Sequence, residues 1–115
     1  MISKVVGVKF KNEEDGTDRQ KIIRSLSGKE KVFLKREPWN RFDKNAIAVV
    51  IKKGKSEEYK IGYLTSELAG ILADFWKEYK YSAHLTSITD GDLQTGRAWS
   101  VTIEIKKIRR KKKDA

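Results

Sequence analysis

The sequence predicts a mostly β domain: a small curved or closed barrel of six strands with two helices across it. Three observations carry this. Short alternations of apolar and polar residues recur along the chain, more of them than one well-covered open sheet accommodates. Two stretches with helical spacing interrupt them, a short one after Asp18 and a longer one after Thr65. The chain has 115 residues and no visible internal repeat, which suits one core and one domain.

Ser3 to Lys11 reads as the first strand, with Val6, Val8 and Phe10 alternating against Gly7 and Lys9. Gly7 in mid-strand suggests a bulge or a close approach. The acidic, turn-rich segment from Asn12 to Thr17 is a surface loop. Asp18 is the expected N-cap of a short helix whose buried stripe is Ile22, Ile23 and Leu26, ended by Ser27 and Gly28. Glu30 to Glu37 is the second strand. Ala46 to Lys53 is the third, and its nearly unbroken apolar run predicts burial on both faces. A turn at Lys53 to Ser56 leads into a fourth strand, Glu57 to Leu64, so the third and fourth should form a hairpin.

Thr65 caps the longer helix, expected to run to Tyr79. Leu68, Ile71, Leu72, Phe75, Trp76 and Tyr79 fall on one wide stripe, which makes Trp76 a core residue. Tyr81 to Thr89 is the fifth strand, Asp90 to Gly96 a loop with two glycines, and Arg97 to Ile108 the sixth strand. In that last strand Trp99, Val101, Ile103 and Ile105 share one face.

Net charge is +10, and its placement matters more than its size. Lys106 to Ala115 holds seven basic residues and one acid, so most of the excess sits at the end of the chain. We therefore divide the chain into a domain over residues 1–105 and a basic, disordered tail over residues 106–115. A polyanion is the favoured partner, nucleic acid ahead of an anionic membrane; a solvated end that aids solubility is the plainer reading of the tail. No apolar run approaches membrane-spanning length, no signal-peptide core is present, and there are no cysteines. A cytoplasmic location is the expectation that follows.

The chain advertises little catalysis. His84 is the sole histidine and alternates with Ala83 and Leu85 on a strand, so it reads as a surface or packing residue. Phosphate-loop and nucleophile-turn motifs are absent, and the acids from Glu13 to Asp18 lack the spacing of a calcium loop. No cofactor or metal is expected. Asp43 with Glu58-Tyr59-Lys60 mimics the acid, acid-x-lysine arrangement of some metal-dependent nucleases, in which two carboxylates hold magnesium and the lysine orients water. Such short patterns recur by chance in a chain this rich in charge.

The stretch richest in information is Lys35 to Val49. It carries the only proline, Pro38, then Trp39, Asn40, Arg41, Phe42 and Asp43, pinned between two strands. Rigidly held polar-aromatic loops are where binding residues concentrate. Read with its neighbours, three segments occur in order: Val5-Val6-Gly7-Val8; Arg36-Glu37-Pro38-Trp39-Asn40-Arg41-Phe42-Asp43-Lys44-Asn45-Ala46-Ile47-Ala48-Val49; and Ile61-Gly62-Tyr63-Leu64 followed by Glu67-Leu68-Ala69. This resembles the HIRAN domain over roughly residues 3 to 105.

The resemblance implies an OB-like, six-stranded β-barrel with two short-to-medium helices. It also implies a non-catalytic module that captures a single-stranded DNA 3′ end, in the setting of DNA repair or replication. Carried over by position, Asp43 takes the terminal 3′-hydroxyl. Phe10 and Phe42 stack on the last bases, Asn40 bonds the terminal nucleotide, Lys9 meets a phosphate, and Tyr63 and Trp99 line the pocket. Trp39, which replaces a small polar residue, adds a stacking surface or blocks the pocket. Lys35, Arg36 and Arg41 are further candidates for phosphate contacts. Arg41 stands where many members have proline, and Lys11 where DNA-end binders carry an aromatic.

Packing alternatives stand beside these roles. Phe10 shares a strand face with Val6 and Val8, Trp99 with Val101 and Ile103, and Phe42 fits the plug of a barrel end. Asp43 also suits a turn cap bonding amides near Asn45 and Ala46. The partners this reading admits are single-stranded DNA or DNA 3′ ends, RNA, and a DNA-processing enzyme. A peptide-binding module and, further off, a metal-dependent nuclease are the competing functions.

Overall fold

The centre of the molecule is the strand that the sequence makes most apolar. In the computed structural model, which describes residues 1–111, Ile47 to Ile51 are all buried. The eight elements are β1 (Ile2–Lys4), α1 (Arg19–Arg24), β2 (Lys31–Arg36), β3 (Ile47–Lys53), β4 (Glu57–Tyr63), α2 (Ser66–Asp74), β5 (Tyr79–Thr89) and β6 (Ser100–Arg109). The strands form one sheet in the order β1-β6-β5-β2-β3-β4, every pair antiparallel. The expected mostly β architecture, six strands and two helices, is what forms.

Two register shifts bend the sheet, at Val49/Val50 between β3 and β4 and at Leu85/Ser87 between β5 and β6. An extra residue on one strand increases local twist, which curls the sheet around its apolar face. β1 and β4 are its margins, and among the described residues no ladder of strands joins them. They meet through one isolated bridge instead. The Val6 amide donates to the Tyr63 carbonyl at 2.8 Å, and the Tyr63 amide donates to the Val6 carbonyl at 2.9 Å. Inside lie Ile23, Ile47, Ile51, Ile61 and Ile103, all fully buried, with Ala69 and Leu72 of α2 covering one side.

Both helix caps are the expected ones. Asp18 accepts the Gln20 amide at 2.9 Å, and the Thr65 hydroxyl accepts the Leu68 amide at 3.3 Å. Three extents differ from expectation. The first strand does not reach Lys11: Gly7 takes φ +72°, the chain turns, and Phe10 donates back to the Gly7 carbonyl at 3.3 Å. Phe10 therefore never joins the Val6 and Val8 strand face. The longer helix stops at Asp74, and Phe75 to Glu78 form turns that aim Trp76 at the sheet while Ile71 stays exposed. At the start of the expected tail, residues 106–109 are strand. β6 continues through Arg109 because Tyr79, Lys80, Tyr81 and Ser82 of β5 pair in turn with Arg109, Ile108, Lys107 and Lys106. Residues 112–115 of the expected tail lie outside the described residues.

Candidate nucleic-acid interface

The loop between β2 and β3 is closed by its own polar groups. Glu37 donates its amide to the Ala46 carbonyl at 2.9 Å, and Ala46 donates to the Asp43 carbonyl at 3.0 Å. The Asn40 side-chain oxygen accepts the amides of Phe42 and Asp43 at 2.9 and 3.2 Å. One carboxylate oxygen of Asp43 accepts the Asn45 amide at 2.8 Å. These are the local side-chain-to-backbone turns that Asn and Asp favour. With the backbone satisfied from within, the large side chains turn outward: Trp39 is 75% and Phe42 83% exposed.

Opposite stands the turn after β1, with Phe10 67% exposed. Between turn and loop lies a cleft of about 800 Å³. Phe10, Trp39, Arg41 and Phe42 rim it, and Glu37, Lys60, Tyr63 and Arg19 form its floor. Three large aromatics exposed around one concavity are unusual on a domain surface and make it the candidate contact site.

The floor is a continuous polar network. Buried Glu37 accepts Lys60 Nζ at 2.8 Å, the Tyr63 hydroxyl at 2.8 Å and the Asn40 amide nitrogen at 3.2 Å. Lys60 also pairs with Glu14 and donates to the Tyr63 hydroxyl at 2.9 Å. Arg19, also buried, donates to Asn12 at 2.7 Å and to the Gly7 carbonyl at 2.8 Å, and its guanidinium lies 5.3 Å from the Tyr63 ring centroid. Burial alone would raise the Glu37 pKa, but the bonds from Lys60, Tyr63 and Asn40 outweigh it and hold the carboxyl below its ordinary value. Burial would lower the Lys60 pKa, and its bonds to Glu14, Glu37 and Tyr63 push it up instead. Burial raises Tyr63, with Glu37 acting in the same direction. The floor is thus a locked cation-carboxylate-phenol set, charged and rigid at neutral pH.

Lys60 and Tyr63 reach the same face through a bulge. The register pairs Tyr63 with Ala48, Gly62 with Val49 and Lys60 with Val50, leaving Ile61 as the extra residue. Strict alternation would send them to opposite faces.

Of the candidate residues, the fold brings Phe10, Trp39, Asn40, Arg41, Phe42 and Tyr63 to this cleft. Trp39 stands on its rim and leaves it open. Arg41 pairs with Glu13 at 3.2 Å, and its guanidinium lies 5.2 Å from the Phe42 ring centroid. Asp43 is in the same loop but outside the lining, engaged as the turn cap that was its alternative role. Trp99 is not in the cleft. It packs against the core, with its amide and carbonyl held by the Gln20 side chain at 2.8 and 2.9 Å. Lys9 is exposed in the turn, Lys35 pairs with Glu58, and Arg36 is half-buried. Asp43, Glu58 and Lys60, the nuclease-like trio, go to three different partners. Among the described residues, no group of three or more His, Cys, Asp or Glu side chains is placed to hold a metal.

Sequence reasoning missed Glu14, Arg19, Glu37 and Lys60 as cleft residues. Each is an ordinary charged residue in its own segment. The one local signal was Gly62 between Lys60 and Tyr63, a glycine inside a strand that flags the bulge.

A curled six-stranded sheet with a rigid polar floor and an exposed aromatic rim is the frame of a small binding module. A family model for the HIRAN domain matches residues 2–104, and the chain belongs to that family, one of DNA-binding modules. Two solved structures show the same fold. The crystal structure of the HIRAN domain of human HLTF aligns at TM-score 0.57 with 22% identity, covering 91% of this chain and 73% of that one. A protein from Lactobacillus plantarum aligns at TM-score 0.56 with 21% identity, covering 90% of each chain. No curated protein sequence matches significantly.

Proposed function

We propose that this chain binds single-stranded DNA at a free 3′ end, in the cleft between the β1 turn and the β2–β3 loop, without cutting it. The observation that carries the reading is the rim: Phe10, Trp39 and Phe42 are exposed around a concavity whose floor is already satisfied. Stacking on such faces tolerates any base and is worth ~1–3 kcal/mol per base. Lys9, Lys11 and Arg41 stand near enough in sequence to the rim to meet backbone phosphates. Membership in a family of DNA-binding modules supports the same ligand class.

Asp43, in the β2–β3 loop but outside the cleft lining, supplies the selectivity in this reading, which requires the terminal sugar to reach over the loop. One of its carboxylate oxygens is engaged by Asn45, which orients the group and leaves the other oxygen to accept a ligand hydroxyl. The same charge repels a terminal phosphate, so a free 3′-hydroxyl is preferred over a phosphorylated end. Titration by intrinsic fluorescence with oligonucleotides ending in a 3′-hydroxyl, a 3′-phosphate or a blocking hairpin tests this. The hydroxyl end should bind tightest, and Asp43→Ala should remove the preference while keeping most affinity. Equal affinity for all three ends would sink end recognition.

A further inference from the structure

The outer face of the β2–β3–β4 ladder continues past the cleft. Antiparallel partners share a face, so the register sets Lys31 beside Lys52, Phe33 beside Val50 and Lys35 beside Ala48. The next row sets Val50 beside Lys60 and Ala48 beside Tyr63, and those two are cleft floor. Lys31, Phe33 and Lys35 are therefore one surface with the aromatic cleft. From Lys35 to Lys31 the track runs about 13 Å at the usual strand rise. In its middle Phe33 is 40% exposed, with the Lys52 ammonium 6.0 Å from its ring centroid.

The track ends in a second concavity, of about 600 Å³, at the open end of the β2–β3 pair, beside the β3–β4 turn. Lys29, Lys31, Lys52, Lys53 and Lys55 line it against a single carboxylate, Glu30. Glu30 is spent on the turn beneath, accepting the Ser27 and Gly28 amides at 2.9 Å. The acid nearest the track, Glu58, is paired with Lys35. Lysines gathered at this density repel one another, and a polyanion relieves the repulsion.

We propose that this surface is a second subsite for single-stranded nucleic acid. A base stacks on Phe33, backbone phosphates lie against Lys31, Lys52 and Lys55, and a strand seated in the aromatic cleft runs along β2 into the lysine concavity. The proposal rests on the cleft being a single-stranded DNA site and is independent of how the end is recognised. It predicts an affinity that grows with oligonucleotide length beyond what the cleft covers.

The test compares oligonucleotides of about four and about twelve nucleotides, within the span of single-strand site sizes on small barrels. The wild-type chain should bind the longer more tightly and with a steeper salt dependence. Phe33→Ala should weaken the longer roughly tenfold and leave the shorter unchanged. The combined Lys31→Gln, Lys52→Gln, Lys55→Gln variant, all surface changes, should lower the salt slope for the longer by ~2, at ~0.7 per phosphate contact. Variants that keep the full length-dependent gain overturn the second subsite, as does a wild-type chain that binds the short oligonucleotide and gains nothing from length. A wild-type chain that binds neither overturns the cleft reading and the subsite with it.

Discussion

Aromatic side chains gather in two places on this molecule and are used in opposite ways. At the start of β5, Trp76 and Tyr81 lie with ring centroids 5.4 Å apart, and Tyr79 meets both Phe75 and Tyr81 at 6.4 Å. Trp76 and Tyr81 lean on the core. Around the cleft, Phe10, Trp39 and Phe42 face water, and among the described residues they make no ring-to-ring contact. In the first group Trp76 and Tyr81, half-buried, stabilise the fold by packing on the core, while Phe75 at its edge stays exposed. The second gives up that gain and keeps its π-faces free. Residue type alone does not separate the two. What separates them is whether the backbone beneath is aimed at the sheet, as after α2, or tied into a self-bonded loop, as at Asn40 and Asp43.

The contrast can be broken most forcefully at Trp76. Trp76→Ala should cost about 3 kcal/mol of stability, the lower end for truncating a large aromatic, while the folded fraction keeps its DNA affinity. Urea unfolding followed by titration of the folded protein measures both, and an unchanged midpoint would dissolve the distinction. The mirror experiment is Phe42→Ala, with Phe10→Ala beside it. Each should weaken single-stranded DNA binding by ~1–3 kcal/mol and leave stability within about 0.5 kcal/mol. A large stability loss from either would move that ring into the structural group.

The cleft floor sharpens the comparison through pH. Glu37 and Glu14 are held below the ordinary carboxylate value of 4.5, Glu37 against burial by its three donors and Glu14 chiefly by Lys60. A depressed carboxylate contributes stability that is complete above its unfolded value and lost as pH falls through the folded one. Thermal midpoints should therefore decline as pH drops from about 6 to about 3, and Glu37→Gln should flatten part of that decline at a cost of ~1–3 kcal/mol near neutrality. A variant with the wild-type pH profile would show the floor to be inert. The smallest effect belongs to Glu13, whose exposed pair with Arg41 would compete with a backbone phosphate in the proposed complex. Glu13→Gln should tighten DNA binding by at most ~1 kcal/mol, and more at low salt than at high.

Most of the sheet could be read from the chain because burial on one face imposes a period of two, and β3 announced itself by lacking one. The failures are equally physical. Val6, Val8 and Phe10 keep the alternation where Gly7 has already turned the chain. Phe75, Trp76 and Tyr79 keep the helical stripe where the helix has stopped. The sixth strand, expected from Arg97, begins at Ser100, after Trp99. In the site, the loop aromatics were legible because a polar loop between strands has no core to hide them in. The floor was not, since Glu14, Arg19, Glu37 and Lys60 are unremarkable until the bridge and the bulge bring them together.

That bridge between Val6 and Tyr63 carries a consequence for the whole curled sheet. Gly62 allows the margins to meet so closely that a Cβ there would come within 2.4 Å of the Val6 carbonyl oxygen. One residue pair thus forms the seam, and the cleft straddles it: Phe10 follows from the Val6 side, and Tyr63 belongs to the other. A ligand gripping both sides is a rivet across the seam. Occupancy and cohesion become linked quantities, each strengthening the other by the free energy of binding.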